Sequence, residues 1–358
     1  MMKTRRFLGK LTAGLVAASL LSLPAYAAPK KDFKLAWSIY VGWMPWQYAA
    51  EQGIVKKWAD KYGIKIEVVQ FNDYVESINQ YTAGAFDAVT VTNMDALSIP
   101  AAGGVDTTAV IVGDFSNGND AVILKGKDKL SDIKGQKVNL VEYSVSHYLL
   151  TRALESVKLT EKKDVSVVST SDADMVAAWS TADVTAVVTW NPLVAEILAT
   201  PGAKKVFDSS QIPGEIIDLT VANTDVLKDN PAFGKALAGI WYETMALMSA
   251  DTPAGVAART AMGKASGTDL AGYEAQLKAT RMFYKPADAL AFVRGAEPKV
   301  TMQKVAGFLF DHGLLGNGAP SAEAVGIEFP GGVTYGNAKF VKLRFTDTYM
   351  AAVADGKL

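Results

Sequence analysis

Trp37, Tyr40, Trp43 and Trp46 fall within the ten-residue block Trp37-Ser-Ile-Tyr40-Val-Gly42-Trp43-Met-Pro45-Trp46. Aromatic faces at this density can hold a planar or cationic solute by stacking and cation–π contact. They can equally pack a helix onto a sheet, and Trp37 and Trp46 are spaced to point inward. Tyr40 and Trp43 flank a loop glycine, which favours ligand contact. Polar residues at the ends of apolar runs are the natural partners for such rings: Asp73, Thr92, Asn93, Asp95, Asp114, Glu142, Ser144, His147, Trp190, Asn191 and Asp218. Five of these are carboxylates and none is Lys or Arg. A nitrate or sulfonate site wants a cation or several helix N-terminal amides. A guanidinium site wants aromatic faces with carboxylates, and urea wants aromatic sandwiching with mixed donors and acceptors. The set leans toward a cationic or neutral solute, although Ser144 to Ser146 open a helix whose amides can hold an anion.

Several of these residues have a second reading. Asp95 can cap its helix, Asp73 can form a turn, and Asp218 can be a hinge residue. Asp87 and Asp132 read as structural. Glu142, between a strand and a helix, is the favoured functional carboxylate, and Trp190-Asn191-Pro192 closes a Val-rich strand. The expected ligand-binding set is Trp37, Tyr40, Trp43, Asp73, Thr92, Asn93, Asp95, Glu142, Ser144, His147, Trp190, Asn191 and Asp218.

The chain has no cysteine and two histidines, His147 and His312. Disulfides, thiolate metal sites and cysteine nucleophiles are therefore excluded, and no metal site or cofactor is expected. His147 reads as a wall residue rather than a base, and no acid–histidine arrangement supports nucleophilic catalysis. No Gly-x-x-x-x-Gly-Lys-Ser/Thr loop is present. An enzyme is not expected.

Strand and helix signals alternate along the chain. Phe33–Ile39 reads as a first strand, Gly42 as a turn and Pro45 as the start of a helix. Strands are expected over 65–71, 86–91, 107–112, 121–124, 137–141, 165–168, 184–189 and 219–222, with helices at 74–83, 146–157 and 172–180. After Asp218 the spacing is mostly helical: 230–250, 252–264, 269–279, 287–292 and 300–311. This pattern predicts an α/β fold of two lobes, each a parallel-type sheet flanked by helices, with a two-strand hinge and a helical C-terminal part. The hinge candidates are Ile111–Asn119 and Pro213–Ala222. The expected division is 28–113 with 219–358 as lobe one and 114–218 as lobe two.

Residues 1–27 have the three parts of a secretory signal: Lys3, Arg5, Arg6 and Lys10, the apolar run Leu11–Leu23, and Ala25-Tyr26-Ala27 for cleavage. Thr4-Arg5-Arg6-Phe7-Leu8 approaches a twin-arginine signal, so either export route is open. No other stretch suits a membrane span. The formal net charge is −1, with no basic run after the signal, which disfavours nucleic acid and anionic membranes as partners.

An ordered series of short motifs carries a resemblance over the rest of the chain. It runs Gly42-x-x-Pro45 with Ala49, Ala50 and Glu51-x-Gly53-Ile54, Gly63-Ile-Lys-Ile-Glu-Val-Val, and Gly84-x-Phe86-Asp87-Ala88. Asp132-Ile-Lys-Gly135-Gln-Lys-Val138 follows, and Asn337, Lys342-Leu-Arg-Phe345, Tyr349-Met350 and Gly356-Lys-Leu358 close the series. In this it resembles periplasmic solute-binding proteins of ABC importers, in the group serving nitrate, sulfonates, taurine and thiamine-pyrimidine precursors. The aromatic block and Thr189-Trp190-Asn191-Pro192 look like the subgroup encoded beside urea carboxylase-type enzymes. The resemblance implies the type II periplasmic binding protein fold and a monomer in the periplasm, without a lipid anchor, that delivers a urea- or guanidinium-type solute to permease subunits. A sulfonate, taurine or nitrate-like anion is the alternative it leaves open, and a ligand-loaded partner for a membrane sensor is compatible with the same fold. A thiamine-precursor-related enzyme is the remaining alternative, although the cysteine-rich motif of those relatives is missing here.

Overall fold

The first strand alternates at its start, with Phe33 and Leu35 buried and Lys34 exposed, then stays buried on both faces through Ser38. That burial marks a strand with neighbours on each side and layers above and below. The structure, a computed structural model, describes residues 30–358; the signal-like segment 1–27 lies outside them. In chain order the strands are β1 (Asp32–Ser38), β2 (Lys65–Phe71), β3 (Ala88–Thr92), β4 (Thr107–Ser116), β5 (Asp120–Lys125), β6 (Lys137–Leu140) and β7 (Ser166–Ser169). They continue as β8 (Ala186–Trp190), β9 (Ala203–Asp208), β10 (Ile217–Asn223), β11 (Thr280–Met282), β12 (Gly326–Phe329), β13 (Val333–Tyr335) and β14 (Val341–Phe345).

Two sheets result. The larger runs β13-β12-β14-β4-β10-β3-β1-β2 with β11 also on β4, and the smaller runs β7-β6-β8-β5-β9. Both are mixed, which corrects the expectation of parallel-type sheets. The cause is β10, which returns antiparallel between β3 and β4, and β5, antiparallel to both β8 and β9. Alternation of strands and helices predicts crossovers, but here the strand that returns from the small sheet re-enters in the opposite sense. The architecture is the α/β periplasmic binding protein fold, two mixed sheets flanked by helices.

The C-terminal part is less purely helical than its spacing suggests. After the helices Pro231–Met248, Pro253–Ala265, Leu270–Lys278, Pro286–Arg294 and Glu297–Asp311, three short strands at 326–345 extend the edge of the larger sheet. Their three to five residues, broken by Pro330-Gly331-Gly332, are too short for periodicity to register. The Pro231–Met248 helix packs on the large sheet through Phe233, stacked on Phe33 at 4.4 Å, and Trp241, 5.6 Å from Trp46. No helix among the described residues is long and apolar enough to cross a membrane.

The chain leaves the large sheet at the end of β4 and re-enters it at β10, and these two strands pair antiparallel. Asp218 on β10 sits opposite Thr92 on β3 and Asp114 on β4. In the small sheet Asp120 on β5 sits opposite Trp190 on β8. Antiparallel return thus brings the start of β10 level with the ends of β3 and β4, so strand-end residues collect on one rung of each sheet.

Candidate functional site

The two rungs face a single cavity lined by Tyr40, Trp43, Tyr74, Thr92, Asp120, Val145, Trp190, Ile216 and Asp218. Its free volume is about 10 Å³. Its aromatic wall is continuous. Tyr40 meets Trp43 edge-on at 5.0 Å, Trp43 meets Tyr74 at 5.6 Å, and Tyr74 meets Trp190 at 5.5 Å. Hydrogen bonds cross from one sheet's elements to the other's around it. Trp190 Nε1 donates to Ile39 O at 3.4 Å, Tyr74 N–H to Asp172 Oδ1 at 3.2 Å, and Val145 N–H to Asp95 Oδ2 at 3.3 Å. The cleft is shut.

The turn after β1 places Tyr40. Its carbonyl accepts from the N–H groups of Trp43 and Met44 at 2.9 and 3.2 Å, opening the Met44–Glu51 helix with Pro45 in its first turn. Gly42 is required here, because a Cβ would stand 2.5 Å from the Tyr40 ring and 2.7 Å from Asp114 Oδ2. The Tyr40 hydroxyl donates to Asp114 Oδ1 at 3.0 Å.

Four carboxyl groups are buried about the cavity. Asp95, within 1 % of full burial, accepts from the Tyr74 and Thr92 hydroxyls at 2.8 Å each. Asp120 accepts from Ser116 Oγ at 2.5 Å. Burial raises Asp95 to about 6 against its hydroxyl and amide donors. Burial raises Asp120 to about 7, with the nearby Asp114 and Asp95 charges adding to it. Asp114 and Asp218 sit opposite each other in the pairing of β4 and β10, close enough for each to act on the other's ionisation. Both are raised by burial, and Asp218 further by the Asp114 charge. No Lys, Arg or His acts on any of the four. Asp95 Oδ1, Asp114 Oδ2, Asp218 Oδ2, both ends of the Asn119 amide and Trp43 Nε1 have no hydrogen-bond partner within the protein. Of these unpartnered atoms four are oxygens and two are nitrogens.

Of the residues expected from sequence, the structure brings Tyr40, Trp43, Thr92, Trp190 and Asp218 to the cavity, with Asp95 bonded just behind Tyr74 and Thr92. The others go elsewhere. Trp37 is 1 % exposed and belongs to the core. Asp73 caps the Tyr74–Thr82 helix by accepting from Glu76 N–H. Asn93 bridges Glu215 O and Ile217 N–H, and Asn191 accepts from Ala195 N–H. Ser144 caps the Val145–Ser156 helix. His147 turns away to Glu161 at 2.8 Å. Glu142 is half-buried, makes no side-chain hydrogen bond and does not line the cavity. The strand-to-helix loop that made it attractive carries its side chain off the rung.

Asp120, Tyr74, Val145 and Ile216 line the cavity without having been expected. Asp120 had a readable signal, since it precedes Ala-Val-Ile-Leu as Asp218 precedes Leu-Thr-Val-Ala. Tyr74 was hidden as the first residue of a helix.

The comparisons with known proteins bear on the fold. No curated protein matches the sequence. The alkanesulfonate-binding protein SsuA from Xanthomonas axonopodis pv. citri, bound to MOPS, is similar at 16 % identity and a TM-score of 0.66, covering 83 % of this chain and 99 % of its own. The periplasmic aliphatic sulphonate binding protein SsuA from Escherichia coli is similar at 19 % identity and 0.63, covering 80 % and 94 %. The periplasmic nitrate-binding protein NrtA from Synechocystis PCC 6803 follows at 11 % identity and 0.55, covering 91 % and 99 %. At these identities the likeness is one of fold. Residues 34–262, more than half of the sequence, match one family model, and the chain belongs to the NMT1-like family.

Proposed function

We propose that this chain is the solute-binding component of an ABC import system and that its ligand is a small planar nitrogen cation of the guanidinium type. The observation that carries the reading is the set Asp95, Asp114, Asp120 and Asp218, buried around an aromatic-walled cavity with no basic residue acting on them. Buried carboxyls without a counter-charge are costly, and a cation between them offsets that cost. Guanidinium N–H edges suit carboxylate oxygens, while its faces suit Trp43, Tyr74 and Trp190. The small cavity favours a ligand of few non-hydrogen atoms. Among the described residues, the only His/carboxylate group with ligand atoms all within 4.8 Å of one another lies elsewhere, at His147, Glu161 and His312, which disfavours a single metal ion in this cavity.

Urea is the second reading, favoured by the raised Asp218, since a carboxyl that keeps its proton can donate to a carbonyl oxygen. An anion is disfavoured by Asp95. Its carboxylate already takes the Val145 N–H at the start of the Val145–Ser156 helix, the place an anion would use.

In this reading 28–113 with 219–358 and 114–218 are lobes that hinge on β4 and β10, and closure presents a surface to permease subunits. The protein acts as an exported, periplasmic monomer, with 1–27 removed, and it binds rather than catalyses. A thermal-shift screen against guanidinium, methylguanidine, urea, taurine, alkanesulfonates and nitrate tests this, because a tight ligand raises apparent stability by mass action. Guanidinium-type compounds should move the midpoint. A shift with anions alone would replace this reading by the anion one.

A further inference from the structure

Outside the residues that line the cavity, the helix Glu297–Asp311 contacts elements of both sheets. Its first half meets Asn93 of the large-sheet side and the segment Gly214–Glu215 that leads into β10 and falls within 114–218. Asn93 Nδ2 meets Met302 Sδ at 3.5 Å, Thr301 Oγ1 donates to Gly214 O at 3.0 Å, and Lys304 pairs with Glu215. Its far end reaches the small-sheet side. Phe308 packs edge-on against Tyr148 at 5.5 Å, and His312 Nε2 lies 3.1 Å from Glu161 Oε2. The same Glu161 oxygen is 2.8 Å from His147 Nε2.

Two histidines and a carboxylate with ligand atoms within 4.8 Å have the spacing of a metal site. Donor accounting argues otherwise. His147 Nδ1 accepts from the Tyr143 N–H at 3.1 Å, so its ring hydrogen sits on Nε2, the atom a metal would need bare. His312 differs. Its Nδ1 points at Phe308 O, 2.9 Å away, and must carry a hydrogen; a neutral ring would then aim an Nε2 lone pair at the Glu161 carboxylate. Only the doubly protonated imidazolium satisfies both contacts.

We propose that His312 and Glu161 form a proton-dependent clasp that ties the Glu297–Asp311 helix to the small-sheet lobe and biases the cleft toward its closed form. The inference rests on the reading that the two lobes hinge. The coupling has a direct route. Val145 opens the helix that carries His147, lines the cavity, and donates its N–H to Asp95. The hydrogen bond that His312 donates to Glu161 raises the His312 pKa, and the hydrogen bonds from both histidines hold Glu161 well below the usual carboxylate range. The other charged groups about His312 are Asp311 on its own helix and Glu155, Lys162 and Lys163 beside it. The clasp is therefore made below the His312 titration and released as pH rises through it.

The chain's two histidines and lack of cysteine make the test clean. Imidazole nitrogen NMR on the ligand-free, chelator-washed protein should show His312 titrating above the ordinary value of about 6.5, and Glu161→Gln should remove that elevation. Spin labels at Glu67→Cys and Lys204→Cys, on the two sheets, then report opening. Cleft carboxyls ionise over the same pH range, so the comparison is with His312→Gln. Below the His312 titration its closed population, relative to open, should be three- to tenfold lower than in the unsubstituted protein, and the two should converge above it. Identical label distances at every pH, or a His312 midpoint unmoved by Glu161→Gln, would overturn the clasp. Stoichiometric Zn²⁺ shifting both histidines would overturn it in favour of a metal site. None of these readouts uses a solute, so failure of the guanidinium reading leaves them intact, and labels that never move under any pH or solute would count against the hinge itself.

Discussion

Asp114 and Asp218 face each other on one rung of β4 and β10, where burial raises the pKa of both, with the Tyr40 hydroxyl donating to Asp114 and no basic side chain acting on them. Two acids placed together in a protein interior are an unstable arrangement unless a proton or a cation joins them. The proposed ligand replaces the proton. Binding and protonation therefore compete at the same pair.

Replacing Asp218 with Asn should separate binding from folding. Loss of one buried carboxylate should weaken capture of a cationic ligand by about 2–5 kcal/mol. The ligand-free protein should be as stable as before or more so, since a neutral amide needs no counter-charge. Calorimetry and thermal melts on the same preparation check both. A variant that loses stability but keeps affinity would make Asp218 a structural residue.

The pH dependence follows from the raised acids. A group that keeps its proton to higher pH when folded makes the folded state bind more protons, so stability falls as pH rises. For Asp95, raised to about 6, and Asp120, raised to about 7, the decline begins near the ordinary carboxylate value and levels off above about 7. Ligand-free melting points should drop across this window, while affinity for a cation should climb with release of protons. Melts that rise from pH 5 to 8 without ligand would contradict this.

The four tryptophans of the site and its margin should divide. Trp43→Ala and Trp190→Ala should lose about 1–3 kcal/mol of binding with the fold retained. Trp37→Ala, in the core, should instead cost about 3–5 kcal/mol of stability. Trp46, fully buried against Trp241, should behave like Trp37.

Much of the site was legible because strand ends in an α/β fold are where ligands gather. Tyr40, Trp43, Thr92, Trp190 and Asp218 follow from that rule applied to hydrophobic runs and their flanking residues. What the runs do not show is which way a loop side chain turns. Glu142 sits two residues and Asn191 one residue beyond its strand, and local geometry decides that the first stays off the rung while the second accepts from Ala195 N–H at a helix start. Strand sense is similarly hidden. Val and Ile fill a buried strand in either direction, so nothing in β5 or β10 announces that each runs antiparallel to its neighbours. The short strands β12 to β14 carried the Lys-Leu-Arg-Phe alternation, but in too few residues to separate them from helix.

Glu142→Gln gives a control in the opposite direction. The side chain lines no part of the cavity, so affinity should stay within about twofold of the unsubstituted protein, well inside the usual range for a surface change. A loss of tenfold or more would return Glu142 to the site and imply a different closed form.

The most direct test of the central claim is calorimetric titration of the protein at pH 7.5 with guanidinium, urea and taurine in turn, repeated in two buffers of different ionisation enthalpy. Guanidinium should bind saturably and one-to-one, with a buffer-dependent heat that reports proton release from the Asp114–Asp218 pair; urea should bind more weakly without that release, and taurine not at all. Tight binding of taurine with guanidinium silent would contradict it.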